Sequence, residues 1–442
     1  MRILATKFSF AVTVILSFLV YFYFGYFFER TQFITLLILY SLLFGFFIFW
    51  QQSCEKDSKN LFKIGVAFRF LLIFSTPFLS QDFYRFIWDG RLILIGINPY
   101  QYFPTDLLNN DVAIDQSKFL VKKMGELSAN HYSNYPPLNQ FLFYISALFS
   151  SKSVFGSMVI LKITIVLADI GIYIYGKKLL LLLGQNSNKI NWYFLNPLVL
   201  LELTGNLHFE GVMLFFLVIS MYYFYKNKMV LSALLFAFSI SIKLIPLLLL
   251  PLLYKNLGFK KSFVYYAIVV LTNIALFVPF VSNDLITNYS QTVGLWFTNF
   301  EFNASIYYLI REIGFWIKGY NIIGTIGKFI PFFTIITILY FSFFKRNESL
   351  SQWYKNALFV LTIYLLISTT VHPWYIINLI LLGVFTNFKF PIVWSFVVIL
   401  SYYAYSVSPF KENYYLLLLE YIAVLSYLIY EIRKPKIVLN EN

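Results

Sequence analysis

Apolar runs of about 20 residues recur from residue 8 to residue 430, separated by short breaks that carry lysine and arginine. At 1.5 Å per residue such a run crosses a hydrocarbon core of about 30 Å. The pattern predicts full-length spans at 8–28, 33–50, 64–80, 154–176, 262–281, 321–344, 353–371, 391–408 and 413–432. The stretches 138–150, 191–204, 207–225, 229–242, 244–254 and 374–387 are apolar but too short or too interrupted to cross alone with ease. The first run exceeds the apolar core of a signal peptide and lacks a small-residue cleavage site, so it reads as a retained span. One long polar interval, 81–137, breaks the series. The expected fold is an all-α polytopic membrane protein, one integral domain over 1–442 with roughly 11–14 crossings.

Composition agrees with that pattern and removes other classes. The chain of 442 residues is 60% hydrophobic and 12% charged, which excludes a water-soluble enzyme, a disulfide scaffold and a disordered adaptor. Its net charge of +14 suggests nucleic acid at first sight. The basic residues, however, sit in twos and threes between apolar runs, as the positive-inside rule requires, so no nucleic-acid partner is expected. With the N-terminus inside and 138–150 kept as a re-entrant or surface helix, every later basic cluster falls inside. Of the 34 basic residues about 20 are then cytoplasmic and about 12 outside, with Arg69 and Lys162 within spans. Both termini and the single cysteine, Cys54, are cytoplasmic in this threading, which suits a bacterial cell membrane. The short helices pair into hairpins whose tips, at 205–210, 241–243 and 372–373, all face outward with His131, His208 and His372. Arms of about 12 residues reach only about 18 Å, so the tip at 243 lies within membrane depth, facing a polar cavity under the outer loop.

Candidate chemistry concentrates there. Asp82, Arg85 and Asp89 are spaced i, i+3, i+7 and share a face if the segment is helical. They suit general-base chemistry at a membrane surface, or equally a capped surface helix with a solvated Arg85–Asp89 pair. Residues 96–100 compose a turn, Asp106, Asp111 and Asp115 read as solvated, and Pro136-Pro137 set an extended entry into the re-entrant helix. Lys162 and Asp169, seven apart, read as an internal pair. The tip with Glu202, Asn206, His208 and Glu210 reads as a polar pocket wall. A zinc site is disfavoured there, because His208-x-Glu210 is not an i, i+4 pair and no cysteine joins it. Lys243 needs an anion or an aqueous path, and a phosphate would serve. Trp374-Tyr375 has the composition of an interfacial anchor, which leaves His372 unexplained.

The ordered set of motifs resembles the GT-C superfamily of integral-membrane glycosyltransferases, in particular bacterial mannosyltransferase-like proteins of glycosyltransferase family 87. It is also similar to the catalytic subunit of GPI mannosyltransferase I. The matching positions are Asp82, Asp89 with Arg91, Pro99-Tyr100, Tyr135-Pro136-Pro137-Leu138, Asp169, Asn196-Pro197, Gly205-Asn206, Lys243 with Pro246, and Trp374-Tyr375. They span a core at 64–390, with two spans (1–63) before it and the last spans (391–442) after it. The resemblance implies inverting transfer of a hexose, mannose first, from a polyprenyl-phosphate donor to a glycan, lipid or protein acceptor outside the cytoplasm. It makes Asp82 the catalytic base, supported by Asp89. Lys243, then His372, then Arg85 or Arg91 would hold the donor phosphate, and Tyr135, Asn206, His208, Glu210, Trp374 and Tyr375 would line the substrate site. Relatives often carry two acids where this chain has Gln81-Asp82, so no cofactor is required and a bridging divalent metal is disfavoured. The competing class is a transporter or flippase for a lipid-linked or anionic solute, with a non-catalytic partner of another transferase third. Against a transporter stand the lack of an internal repeat and tips that open to one side.

Overall fold

The computed structural model describes residues 2–53, 58–110 and 112–434, so the expectations for Cys54 and Asp111 lie outside the described residues. Within them the chain is an all-α membrane protein whose only pairing of extended backbone is a bridge between Phe302 and Thr370. Two long apolar helices, α1 (Arg2–Tyr26) and α2 (Phe33–Ser53), lead into α3 (Ser58–Ile73). The apolar run of α3 continues to Leu79, but the helix stops at Ile73. Pro77 disfavours helix at the residue before it, and 74–82 becomes an irregular strap. The outer loop folds as α4 (Phe83–Leu94), α5 (Pro104–Asn109), α6 (Ser117–Ala129, kinked at Gly125) and α7 (Pro137–Ser150), followed by the long α8 (Val154–Leu182).

The next elements are broken as their sequences suggest. The helical stretch Pro197–Gly205 meets α9 (Glu210–Tyr225) at a bend of 112°. α10 (Met229–Ile242) ends at an extended Lys243 and is followed by a tight helix, Ile245–Leu253, that contains Pro246 and Pro251. Then come α11 (Tyr254–Phe277, kinked at Gly258), α12 (Leu285–Thr298), α13 (Ile306–Lys318), α14 (Ile323–Phe343), α15 (Leu350–Ile367), α16 (Ile376–Val384), α17 (Phe390–Val397) and α18 (Tyr414–Arg433). Among the described residues six helical segments are long and apolar enough to cross a membrane, or seven if the bent pair counts as one span. Any higher crossing number, such as the expected 11–14, draws on the shorter elements. Hydropathy gave no sign of α12 and α13. α13 buries Tyr307, Tyr308, Arg311 and Gly314 while Trp316 stands 93% exposed beside Ile313 and Ile317, the pattern of a helix lying on a lipid surface.

Charges inside the bundle are satisfied internally, though not in the expected pairing. Lys162 and Asp169 are not partners. Asp169 pairs with Arg69 at 2.9 Å, both side chains fully buried, and accepts from the Tyr193 hydroxyl at 2.8 Å. Lys162 instead donates to the carbonyls of Leu72 (2.9 Å), Ser75 (2.5 Å) and Gly205 (3.0 Å) and to the Ser75 hydroxyl. It thus closes the C-terminal ends of α3 and of the Pro197–Gly205 stretch with one cation.

The reading of α4 as a surface helix with a solvated ion pair is overturned. Phe83 and all eight residues from Arg85 to Leu92 are buried. The helix is wrapped by α6, α7 and α8. Gly90 makes the α7 contact possible, since a Cβ there would lie 2.2 Å from the Phe143 carbonyl oxygen. Gly90→Ala must therefore push α7 off α4, at a typical overpacking cost of about 1–3 kcal/mol. A lower melting midpoint in detergent is expected, while Gly45→Ala, with nothing within 4 Å of the new Cβ, leaves the midpoint unchanged or slightly raised.

Candidate active site

Asp82 is delivered by the strap. Besides Lys162, the Asn206 side-chain oxygen accepts from the backbone N–H groups of Phe78 (3.2 Å) and Leu79 (3.0 Å). Gln81 then donates to the Met124 carbonyl at 3.1 Å. Asp82 follows as the residue before α4, and its carboxylate neither caps the helix nor has a hydrogen-bond partner among the described residues.

Asp89 is its opposite. The fully buried carboxylate accepts from Arg85 Nε at 2.7 Å, Ser133 at 2.5 Å and Gln140 at 3.0 Å. Arg85 also donates to the carbonyls of Ser128 (2.6 Å) and His131 (2.9 Å). Asp89 and Arg85 therefore clasp the 128–135 segment onto α4. Arg85 does not hold Asp82 ionised, and Asp89 orients Arg85 from behind the site. Tyr100 adds a second clasp, donating from its hydroxyl to the Tyr135 carbonyl at 2.5 Å. Arg91 turns the other way, to the Asp115 carbonyl and Gln116, and lines neither of the clefts described below.

The three hairpin tips converge beside this loop. Lys243, whose side chain is 19% exposed, pairs with the fully buried Glu210. It is therefore not the lone cation its sequence suggested. Backbone bonds from Phe302 N–H to the Thr369 carbonyl (3.0 Å) and from Val371 N–H to the Phe302 carbonyl (2.8 Å) fix the third tip. There Trp374 is sandwiched between His208 (ring centroids 3.8 Å apart) and His372 (4.3 Å). With both faces covered, Trp374 offers no stacking platform for a sugar and does not act as an interfacial anchor. Asn206 is likewise occupied with the strap and with Glu202 (3.2 Å).

Two clefts meet at Asp82. The first, about 230 Å³, is lined by Asp82, Tyr135, Lys243, His372, Trp374 and Tyr375, with Tyr364 and, from α12, Val293 and Phe297. The second, about 120 Å³, is lined by Gln81, Asp82, Arg85, His131 and, again from α12, Thr292. Asp82, Asn134 and Tyr135 belong to both. Burial pushes the Asp82 carboxyl up to about 6, with Lys243 pulling it down and Glu210 pushing it up. Burial and the Lys243 charge drive His372 down to about 3, so this imidazole is neutral and can offer a hydrogen bond but no charge. That corrects its expected role as a second cation. Among the described residues no three His, Cys, Asp or Glu side chains are grouped to hold a metal ion.

Residues 18–257 match the family model for the N-terminal domain of α-(1→6)-mannopyranosyltransferases, more than half of the chain. The chain belongs to this mannosyltransferase family. It is accordingly a glycosyltransferase, which sets aside the transporter reading. The match begins within α1, takes in α2, the strap, Asp82, Asp89, Glu210 and Lys243, and ends before the His372–Tyr375 tip. No curated protein and no solved structure matches the chain.

The structure thus brings Asp82, Tyr135, Lys243, His372, Trp374 and Tyr375 to one cleft of the mannosyltransferase and Arg85 to its neighbour. Asp89, Arg91, Asn206, His208 and Glu210 stand behind the walls. Ser133 and Gln140, which hold Asp89, and α12, which spans both clefts, carried no sequence signal. Removing Lys243 alone would strand a buried carboxylate, a loss of typically about 3–5 kcal/mol. Lys243→Met is therefore expected to melt well below wild type in detergent. The double variant Lys243→Met/Glu210→Gln should recover most of that stability without recovering transfer.

Proposed function

We propose that this mannosyltransferase moves mannose from a polyprenyl-phosphate donor to an acceptor sugar on the extracytoplasmic side, with inversion and with Asp82 as the base. The supporting observation is the position of Asp82: an unpartnered carboxylate where two clefts meet, one holding a lysine. In this reading the donor occupies the first cleft. Its phosphate lies at Lys243, and its polyprenyl chain leaves past Leu244 and Leu247, which are exposed beside the cleft. The acceptor enters through the second cleft. Asp82 removes the proton from the acceptor hydroxyl, the oxygen attacks the anomeric carbon, and the bond from that carbon to the phosphate oxygen breaks. The charge that develops on the departing phosphate is met by the Lys243 ammonium, already fixed by Glu210, so little reorganisation is needed as the bond cleaves. The α-(1→6) linkage in the family's name then calls for a β-linked donor and a primary hydroxyl on the acceptor. Placement outside the cytoplasm rests on charge bias, which puts the tips on the side opposite the basic clusters. No step needs a metal ion or other cofactor.

The purified enzyme, offered polyprenyl-phosphate mannose and an acceptor glycan, should release free polyprenyl phosphate. The acid limb of kcat/KM should fall near pH 6, because transfer needs Asp82 ionised and its carboxyl titrates at about 6. Asp82→Asn should lose about 10²–10⁴-fold in turnover with donor binding retained. The effect on stability has the opposite sign. A carboxyl raised from 3.8 to about 6 keeps its proton in the folded state longer than in the unfolded one, so stability falls as pH rises through that window. Asp82→Asn removes this penalty and should melt no lower than wild type at neutral pH. A variant that keeps more than about a tenth of wild-type turnover would assign the base elsewhere.

A further inference from the structure

Residues 131–136 connect α6 to α7 without helix or strand. Ser133 is turned inwards: it is buried, donates to Asp89 at 2.5 Å and accepts from Gln140 at 2.6 Å. Tyr135 is held from the other side, by the Tyr100 hydroxyl on its carbonyl (2.5 Å) and by edge-on packing of its ring against Phe86 (5.0 Å) and Phe143 (5.4 Å). Asn134 lies between these two anchored residues and lines both clefts. Its own carboxamide has no hydrogen-bond partner among the described residues. The chain thus fixes a free amide, with two N–H donors and an oxygen acceptor, beside Asp82 where the clefts meet. A substrate that fills the clefts displaces water from this amide and must replace its hydrogen bonds.

The functional reading above, on which this inference rests, puts the anomeric carbon at that junction, between Asp82 and the phosphate at Lys243. The anomeric carbon has two neighbours within the sugar, the ring oxygen and the carbon that bears the 2-hydroxyl. The ring oxygen becomes electron-poor as the bond to phosphate breaks, so an N–H donor placed on it would oppose the reaction. The 2-hydroxyl can donate to an amide oxygen, and bonds to it strengthen in an oxocarbenium-like transition state. We propose that the Asn134 carboxamide accepts a hydrogen bond from the 2-hydroxyl of the transferred mannose, which makes Asn134 a determinant of donor specificity. The bonds from Ser133 to Asp89 and from Tyr100 to Tyr135 then set this side chain in place before the donor arrives.

The test compares polyprenyl-phosphate mannose with its 2-deoxy counterpart on the full-length enzyme in detergent, with acceptor glycan in excess and release of polyprenyl phosphate as the readout. Asn134→Ala should lower kcat/KM for the mannose donor about tenfold, the worth of one neutral hydrogen bond. With the 2-deoxy donor, which lacks that bond in either protein, the change should stay below about twofold. The intrinsic reactivity of the 2-deoxy donor cancels, because each donor is compared between the same two proteins. The ratio of the two donors on one preparation is also independent of how much of that preparation is folded, so a less stable variant still gives an answer. Equal losses with both donors would place Asn134 on the acceptor or in the framework and overturn the proposal, as would an unchanged rate with the mannose donor. A wild type that releases polyprenyl phosphate from neither donor would instead refute the functional reading itself, and this inference with it.

Discussion

An ammonium group at membrane depth, out of reach of water, must be surrounded by oxygen atoms, and Lys162 meets that need with the carbonyls of Leu72, Ser75 and Gly205. The consequence reaches well beyond one side chain. Two helix ends that would otherwise expose carbonyls to lipid are tied to α8, and the strap that leaves α3 starts from a fixed point. Asn206 holds the strap again at Phe78 and Leu79, and the same elbow supplies Glu210 to Lys243 and His208 to Trp374. One bent hairpin therefore positions the carboxylate, the cation and the aromatic wall together.

Asp82, just before α4, and Asp89 within it show how burial sorts similar residues into different roles. Asp89 is enclosed and accepts from Arg85, Ser133 and Gln140, so its charge is spent on holding the loop. Asp82, seven residues earlier on the same side, keeps its oxygens unpaired where two clefts meet. A carboxylate with raised pKa and no internal partner is costly to the fold, and such groups persist at sites where the chemistry uses them. Glu210 lets Lys243 stand beside the first cleft without being an isolated buried charge, and it leaves the ammonium able to donate to a ligand.

Helix positions were largely legible, because span length and apolar periodicity are set by the membrane itself. α1, α2, α8, α14 and α18 fall where the pattern placed them. The end of α3 was not legible from hydropathy, since Pro77 stops a helix whose sequence remains apolar. α12 and α13 escaped because neither contains a span-length apolar run. At the site, the residue types and their order pointed to Asp82, Lys243 and the His372–Tyr375 tip. Partnerships could not be read along the chain, because each joins residues far apart in sequence. Arg69 with Asp169, Lys162 with Gly205, and Trp374 between His208 and His372 depend on how the hairpins fold back.

The division of labour between the clefts is tested most directly by a structure of the Asp82→Asn protein with polyprenyl-phosphate mannose bound. The mechanism predicts the phosphate within hydrogen-bond reach of Lys243, the anomeric carbon turned towards position 82, and the Arg85 cleft left open for the acceptor. A phosphate seated against Arg85, or a mannose directed away from position 82, would contradict it.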